Sequence, residues 1–355
     1  MTISRTTTLA CLMVGSFLAA TVAASAEDPK WVDGKLQPLS DGWPNEPLTM
    51  FVIDAPGTTD SIFATAIVKA TEGKSPVPIR IEHRPDFSTY STWEAQAWMI
   101  KQGAQADSGN MMIVYTAPGN IVDLIATDMK TEAGVDLDDI TYVNMVEELP
   151  YMIVQRSDAP WGDTLDDMVK YSRENPDKIR WIGGDPGAGQ TAAMRWYMSK
   201  LDFNARLIVG GDSGERALAV ASGDGDITAS PPDVVLPHYQ GDKLEVLMVG
   251  GDVSPAPWDK VPSAKSLGIE NDPWGTKRGL QVSTAVPEDH RAWLEELFRE
   301  AAKDEAFIAN RQTVPGLVLS YRGGEAVKQY MLNAYDQALP IMQASGVSWK
   351  DNQPK

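Results

Sequence analysis

Cysteine occurs once in the 355 residues, at Cys11, and histidine three times, at His83, His238 and His290. A disulfide framework is therefore excluded, and so is any zinc site built from the usual Cys and His spacings. There is no H-E-x-x-H, no Walker loop and no nucleophile–histidine–acid arrangement in a suitable context, so the chain offers no catalytic set. Gly211-Asp212-Ser213-Gly214 echoes a serine-protease string, but without partners. Basic residues are also scarce: 31 Lys and Arg stand against 49 Asp and Glu. A balance this acidic argues against nucleic acid and anionic membrane surfaces as partners, while leaving room for a local site that takes an anion. After the N-terminus no apolar run reaches a membrane-spanning length.

The N-terminus itself is apolar for a reason. Arg5, the stretch Leu9–Val22 and Ala24-Ser25-Ala26 form a secretory pattern, with cleavage expected before Glu27. Cleavage removes Cys11 and one arginine, so the mature chain is cysteine-free and its net charge falls from −18 to −19. It is expected to be soluble, exported and periplasmic. Its length suggests two domains. The polar, Pro-rich residues 27–47 read as an irregular lead-in.

Strand and helix signals then alternate. Strands are expected at Leu48–Asp54, Val77–Glu82, Met111–Thr116, Tyr151–Gln155, Ile179–Ile182, Leu207–Val209, Glu245–Val249 and Leu280–Thr284. Helix starts stand at Ser91-Thr92-Trp93-Glu94, at Thr164 and at Pro287, where His290 reads as part of a solvated first turn. The segment Glu147–Gln155 is extended and suits a strand passing between lobes. The pattern predicts an α/β protein with parallel sheets. Most of its eleven tryptophans read as core or rim.

Two strand–helix joints stand out. At Met50–Ser61 a continuous apolar strand breaks at Pro56-Gly57 and restarts at Thr58 or Thr59, either of which can cap the helix. Ile62, Phe63, Ala66, Ile67 and Ala70 are expected to form that helix's apolar stripe. Such a joint is either a plain connector or a seat for a small anion beneath free N–H groups and a positive dipole end. The second joint, G-G-D-P-G-A-G-Q-T-A at residues 183–192, also satisfies G-x-G-x-x-A from Gly187. That fingerprint opens an alternative: an exported oxidoreductase holding a dinucleotide at Gly187–Gly189.

From about Trp43 to Val347 the order of these pieces resembles the solute receptors of tripartite tricarboxylate transporters, the Bug-type family. The similarity is carried by Ala55-Pro56-Gly57-Thr58-Thr59-Asp60, by Glu82-His83-Arg84-Pro85-Asp86-Phe87-Ser88-Thr89, and by Asp107-Ser108-Gly109 ahead of a strand. It continues through Ala159-Pro160 to Thr164-Leu165-Asp166-Asp167-Met168, Asn175-Pro176, Gly187-Ala188-Gly189-Gln190, Val209–Ser213 and Gly223–Asp226. The resemblance implies a two-lobed type II "Venus flytrap", each lobe a mostly parallel sheet flanked by helices. Lobe one would span residues 48–147 and 270–355, and lobe two 148–269. It also implies a monomeric receptor that closes on a small organic carboxylate, partly through bridging waters, and passes it to membrane transporter subunits. Neither cofactor, metal nor catalysis is implied. A receptor of the same shape serving another transporter or a sensor is the nearer alternative.

Ligand contacts are then expected at Pro56, Gly57, Thr58, Thr59, Asp60, Ser88, Thr89, Thr116, Asp185, Gly187, Ala188, Gly189, Gln190, Thr191 and Asp212. The sequence departs from the family at several of these positions. Thr58 replaces a glycine in a joint one residue shorter, Gln190 a serine, Ala193 a histidine and Asp212 a lysine. The added bulk and the carboxylates of Asp185 and Asp212 favour a monocarboxylate, or one bearing hydroxyl or amino groups, over citrate.

Overall fold

The computed structural model describes residues 27–53, 55–87, 91–184, 189–211 and 213–350, with only the backbone of Ser91 and Thr92. The expected signal segment, residues 1–26, lies outside them. In the described residues the strands are β1 (Trp31–Val32), β2 (Lys35–Leu36), β3 (Leu48–Val52), β4 (Ile79–His83), β5 (Met111–Ala117), β6 (Ile140–Leu149) and β7 (Met152–Arg156). They continue with β8 (Arg180–Gly183), β9 (Arg206–Val209), β10 (Ile227–Ser230), β11 (Leu244–Val249), β12 (Thr276–Ser283) and β13 (Val318–Gly323). The helices are α1 (Thr59–Ala70), α2 (Ser91–Ile100), α3 (Ala104–Asp107), α4 (Gly119–Ala126), α5 (Met129–Glu132) and α6 (Leu165–Glu174). After them come α7 (Gly189–Leu201), α8 (Ser213–Ala221), α9 (Pro232–Gln240), α10 (Glu288–Ala301), α11 (Glu305–Arg311) and α12 (Gly324–Ala344).

Two sheets organise these elements into a two-lobed α/β fold. The first runs β13-β6-β12-β5-β3-β4 and the second β11-β7-β10-β8-β9. The chain leaves the first sheet at Leu149, enters the second at Met152, and returns between Val249 and Thr276. Parallel pairing holds where strands are joined through helices, in β3 with β4 and β5 and in β8 with β9 and β10. The pairings of β6, β7, β11, β12 and β13 are antiparallel, so each sheet is mixed rather than mostly parallel. In the first sheet the reason is that β6 leads out toward the second sheet while β12 leads back from it, so these neighbours run in opposite directions.

Local chemistry explains several of these helices. Thr58 caps α1 by accepting from the Ser61 N–H, and Phe63, Ala64, Ile67 and Ala70 bury one stripe. Ile62, expected within that stripe, is 45% exposed and turns to the surface instead. In α6, Thr164 caps the Asp167 N–H while Leu165, Met168 and Val169 face inward. Helix α10 follows Pro287 and buries Trp293, Leu294, Leu297 and Phe298. His290 is buried with them, contrary to the solvated position expected. Its ring stacks on Trp43 at 4.1 Å, and its nitrogens meet the Ser108 carbonyl at 2.7 Å and Asp41 at 2.9 Å.

Trp43 belongs to the lead-in, which outside β1 and β2 has no regular structure and lies as a strap on α10. Strands β1 and β2 pair, Trp31 donates to Glu296, the Trp293 indole donates to the Gln37 carbonyl, and Trp43 donates to Asn110. Seven of the eleven tryptophans are buried, which makes them core. Each such indole removes roughly 200 Å² from water, worth about 5 kcal/mol as an upper bound. The largest apolar cluster joins both lobes, with Trp93, Tyr115 and Ile121 continuous with Trp181, Trp196, Tyr197 and Trp274. There α12 packs on α4 and α7. Among the described residues no helix is long and apolar enough to cross a membrane.

Candidate functional site

The first joint connects β3 to α1. Gly57 takes φ +89, a left-handed conformation that costs an L side chain strain, and a Cβ there would meet nothing within 4 Å. Its N–H donates to Ser61 Oγ at 3.2 Å, and that hydroxyl also bonds His83 Nε2 at 2.8 Å, tying the end of β4 to the joint. Thr58 donates to the Ala55 carbonyl at 2.9 Å, so its hydroxyl serves the turn as well as the cap. Pro56, Gly57 and Thr59 are exposed on the rim.

Asp60 behaves differently from its neighbours. It is 5% exposed, accepts from Thr116 Oγ1 at 2.9 Å and accepts from Arg278 Nε. Arg278 also donates to Thr59 Oγ1 at 2.8 Å and to Glu147 at 3.2 Å, and Glu147 takes a bidentate pair from Arg311 at 2.8 and 3.0 Å. Burial works against the Arg278 charge, yet Asp60 and Glu147 more than offset it and hold its pKa above the ordinary arginine value. Thr59, Asp60 and Thr116 thus meet in one cluster, in which Asp60 and Thr116 brace the joint. Arg278, Glu147 and Arg311 were missed from sequence. The alternation of charge in Thr276-Lys277-Arg278-Gly279 against Glu147-Glu148 was a usable signal, since these strands pair Arg278 with Glu147 and Lys277 with Glu148. Nothing in the sequence marked Arg311.

At the next turn Arg84 lies over the rings of Phe87 and Trp98, 4.6 and 4.4 Å from their centroids, and pairs with Asp86 at 2.8 Å. The expected contacts Ser88 and Thr89 lie outside the described residues. On lobe two, β8 ends at Gly183, where a Cβ would sit 2.7 Å from Leu207 and 2.9 Å from Trp181. Asp185, Gly187, Ala188 and Asp212 also fall outside the described residues. Gly189 and Gln190 are half-buried at the start of α7, and Thr191 is fully buried, its hydroxyl without a hydrogen-bond partner among the described residues. A Cβ at Gly189 would lie 3.8 Å from Val122 of α4, so the α7 start abuts lobe one.

Between the lobes lies a cavity of about 190 Å³. Thr59 and Ile62 of α1, Thr276 and Arg278 of β12, Leu149, Arg311 and Val314 form one wall, and Ser213, Pro231, Asp233 and Val234 the other. The starts of α1, α8 and α9 therefore converge on one space, which can hold a polar ligand through N–H and hydroxyl donors. Among the described residues no group of His, Cys, Asp and Glu could hold a metal ion.

No protein-family model matches the sequence, and no curated protein does. Solved structures do match. A TctC solute-binding protein from Polaromonas superposes with a TM-score of 0.73 at 18% identity, over 85% of this chain and 99% of that one. MatC from Rhodopseudomonas palustris, solved with bound malate, gives 0.58 at 17% identity over 84% of this chain and 100% of that one. An R. palustris protein solved with adipate gives 0.62 at 14% identity over 86% and 99%. The chain therefore has the two-lobed fold of the TctC and Bug-type solute-binding proteins, and the resemblance read from the sequence holds at the level of fold.

Proposed function

We propose that the protein is an exported solute receptor that binds a small organic carboxylate between its lobes, without catalysis, and delivers it to a tripartite tricarboxylate-type membrane transporter. The observation that carries this reading is the convergence of the α1 start from one lobe and the α8 and α9 starts from the other on one cleft, within a fold shared with proteins solved with malate and adipate. Backbone N–H groups at the Gly57 and Gly189 joints would hold the carboxylate, and lobe closure would bury it. In this reading the mature chain starts at Glu27, works as a periplasmic monomer, and divides into residues 48–147 with 270–355 and residues 148–269.

Thermal-shift screening of the mature chain against a carboxylate panel tests it. A ligand at a hundred times its Kd stabilises by about 2.7 kcal/mol, an upward shift of several degrees. The absence of a shift with every carboxylate would overturn the proposal. Uptake of the identified ligand by vesicles carrying the large and small membrane subunits, dependent on added receptor, tests the delivery step.

A further inference from the structure

The 190 Å³ interlobe cavity carries information about the ligand that the two joints do not. Resting on the receptor reading above, we infer that this cavity receives the hydroxyl-bearing end of the ligand and that the ligand class is a polyhydroxylated monocarboxylate. Size comes first: the space equals roughly six waters at about 30 Å³ each. That is too much for a carboxylate group alone and enough for a short substituted chain.

Charge comes next. Arg278 and Arg311 line the cavity, but their formal charges are cancelled by Asp60 and Glu147 directly behind them. The remaining charged group on the wall is Asp233, on the opposite lobe. The cavity thus sets the N–H and O–H groups of Thr59, Ser213, Thr276 and the two arginines among apolar side chains, and carries no net positive charge. A second carboxylate entering it would meet Asp233 with no uncommitted cation to neutralise it. An aliphatic tail can pack on Ile62, Leu149 and Val314, but it strips water from the guanidinium edges and Asp233 and returns no hydrogen bonds.

Hydroxyl groups satisfy both walls. They can accept from the guanidinium edges, whose five N–H donors exceed the bonds made to Glu147, Asp60 and Thr59, and donate to Asp233. The hydroxyls of Thr59, Ser213 and Thr276 can act in either sense. Thr59 also belongs to the first joint, so one ligand can place its carboxylate at that joint and its hydroxylated chain in the cavity.

The test compares three six-carbon acids by calorimetry on the mature chain: gluconate, hexanoate and adipate. Gluconate is expected to bind about tenfold or more tighter than either of the others. Ser213→Ala and Thr276→Val are each expected to weaken gluconate by about threefold to tenfold, and to weaken it more than they weaken acetate, which has no hydroxylated chain. Equal or tighter binding of adipate or hexanoate overturns the inference while sustaining the carboxylate reading. Gluconate binding that survives both substitutions in variants with unchanged unliganded melting temperature overturns the assignment to this cavity. Failure of all carboxylates removes both readings together.

Discussion

Arg278 spends its guanidinium on three lobe-one partners, Thr59, Asp60 and Glu147. Removing it leaves Asp60 buried without a cation, since the other arginine of the cluster, Arg311, is paired with Glu147. Breaking a buried pair from one side costs about 3–5 kcal/mol, so Arg278→Met should lower the urea midpoint by that equivalent. The double variant Arg278→Met/Asp60→Leu should recover part of the loss, because no charge is then stranded. Asp123 presents the opposite case. Burial raises its pKa to about 6, and no neighbouring cation lowers it. Because the folded-state value lies above the ordinary carboxylate value of 3.8, the fold is favoured by protonation below that value and loses the advantage as pH rises through about 6. Asp123→Asn should therefore stabilise the protein by about 1–3 kcal/mol at pH 7 and by little at pH 4, read as the difference between two melting curves.

The strap shows how a short element can be held by a few well-placed groups. Asp41 accepts from the Trp43 N–H and faces His290, and these contacts hold its pKa below the usual carboxylate range. Its contribution to stability is present above that range and is lost as pH falls through the lowered value. Asp41→Asn should lower stability in the neutral region and leave the acid end close to wild type, so that the acid limb of a stability-against-pH curve flattens. Elements like this one mark the limit of what the sequence made legible. The joints could be read because Gly57 and Thr58 carry their instructions locally, and the eight expected strands could be read from continuous apolar runs. Strand β6 was read only at its end, because Asn144, Glu147 and Glu148 interrupt its apolar pattern and take their meaning from β12, more than a hundred residues later. β10 is only four residues long, and β13 is half-buried throughout, so neither carried a periodic signal. The same distance in sequence hid the Asp60–Arg278–Glu147–Arg311 cluster.

At the scale of the molecule, the two lobes share one apolar cluster while facing each other across the cleft. The chain crosses between the lobes beside the paired Glu147–Arg278 and Glu148–Lys277 positions, and these are where the proposed lobe closure would pivot. The order of strands in the first sheet has a further consequence, for synthesis. β12 lies between β5 and β6, yet it is made only after the whole second sheet. Until residue 283 has emerged, β5 has an open edge and β6 has no sheet partner on either side, whereas the second sheet is complete by Val249. Closing that long loop carries an entropic cost that only the assembled second lobe can reduce, by bringing Leu149 and Thr276 together. A chain truncated after residue 275 should therefore keep a protease-resistant segment covering roughly residues 150–250 and lose protection in residues 27–149, as read by limited proteolysis and mass spectrometry. That outcome would mean the chain folds from its middle outward, with the wall that carries Arg278 among the last parts of the cleft to form.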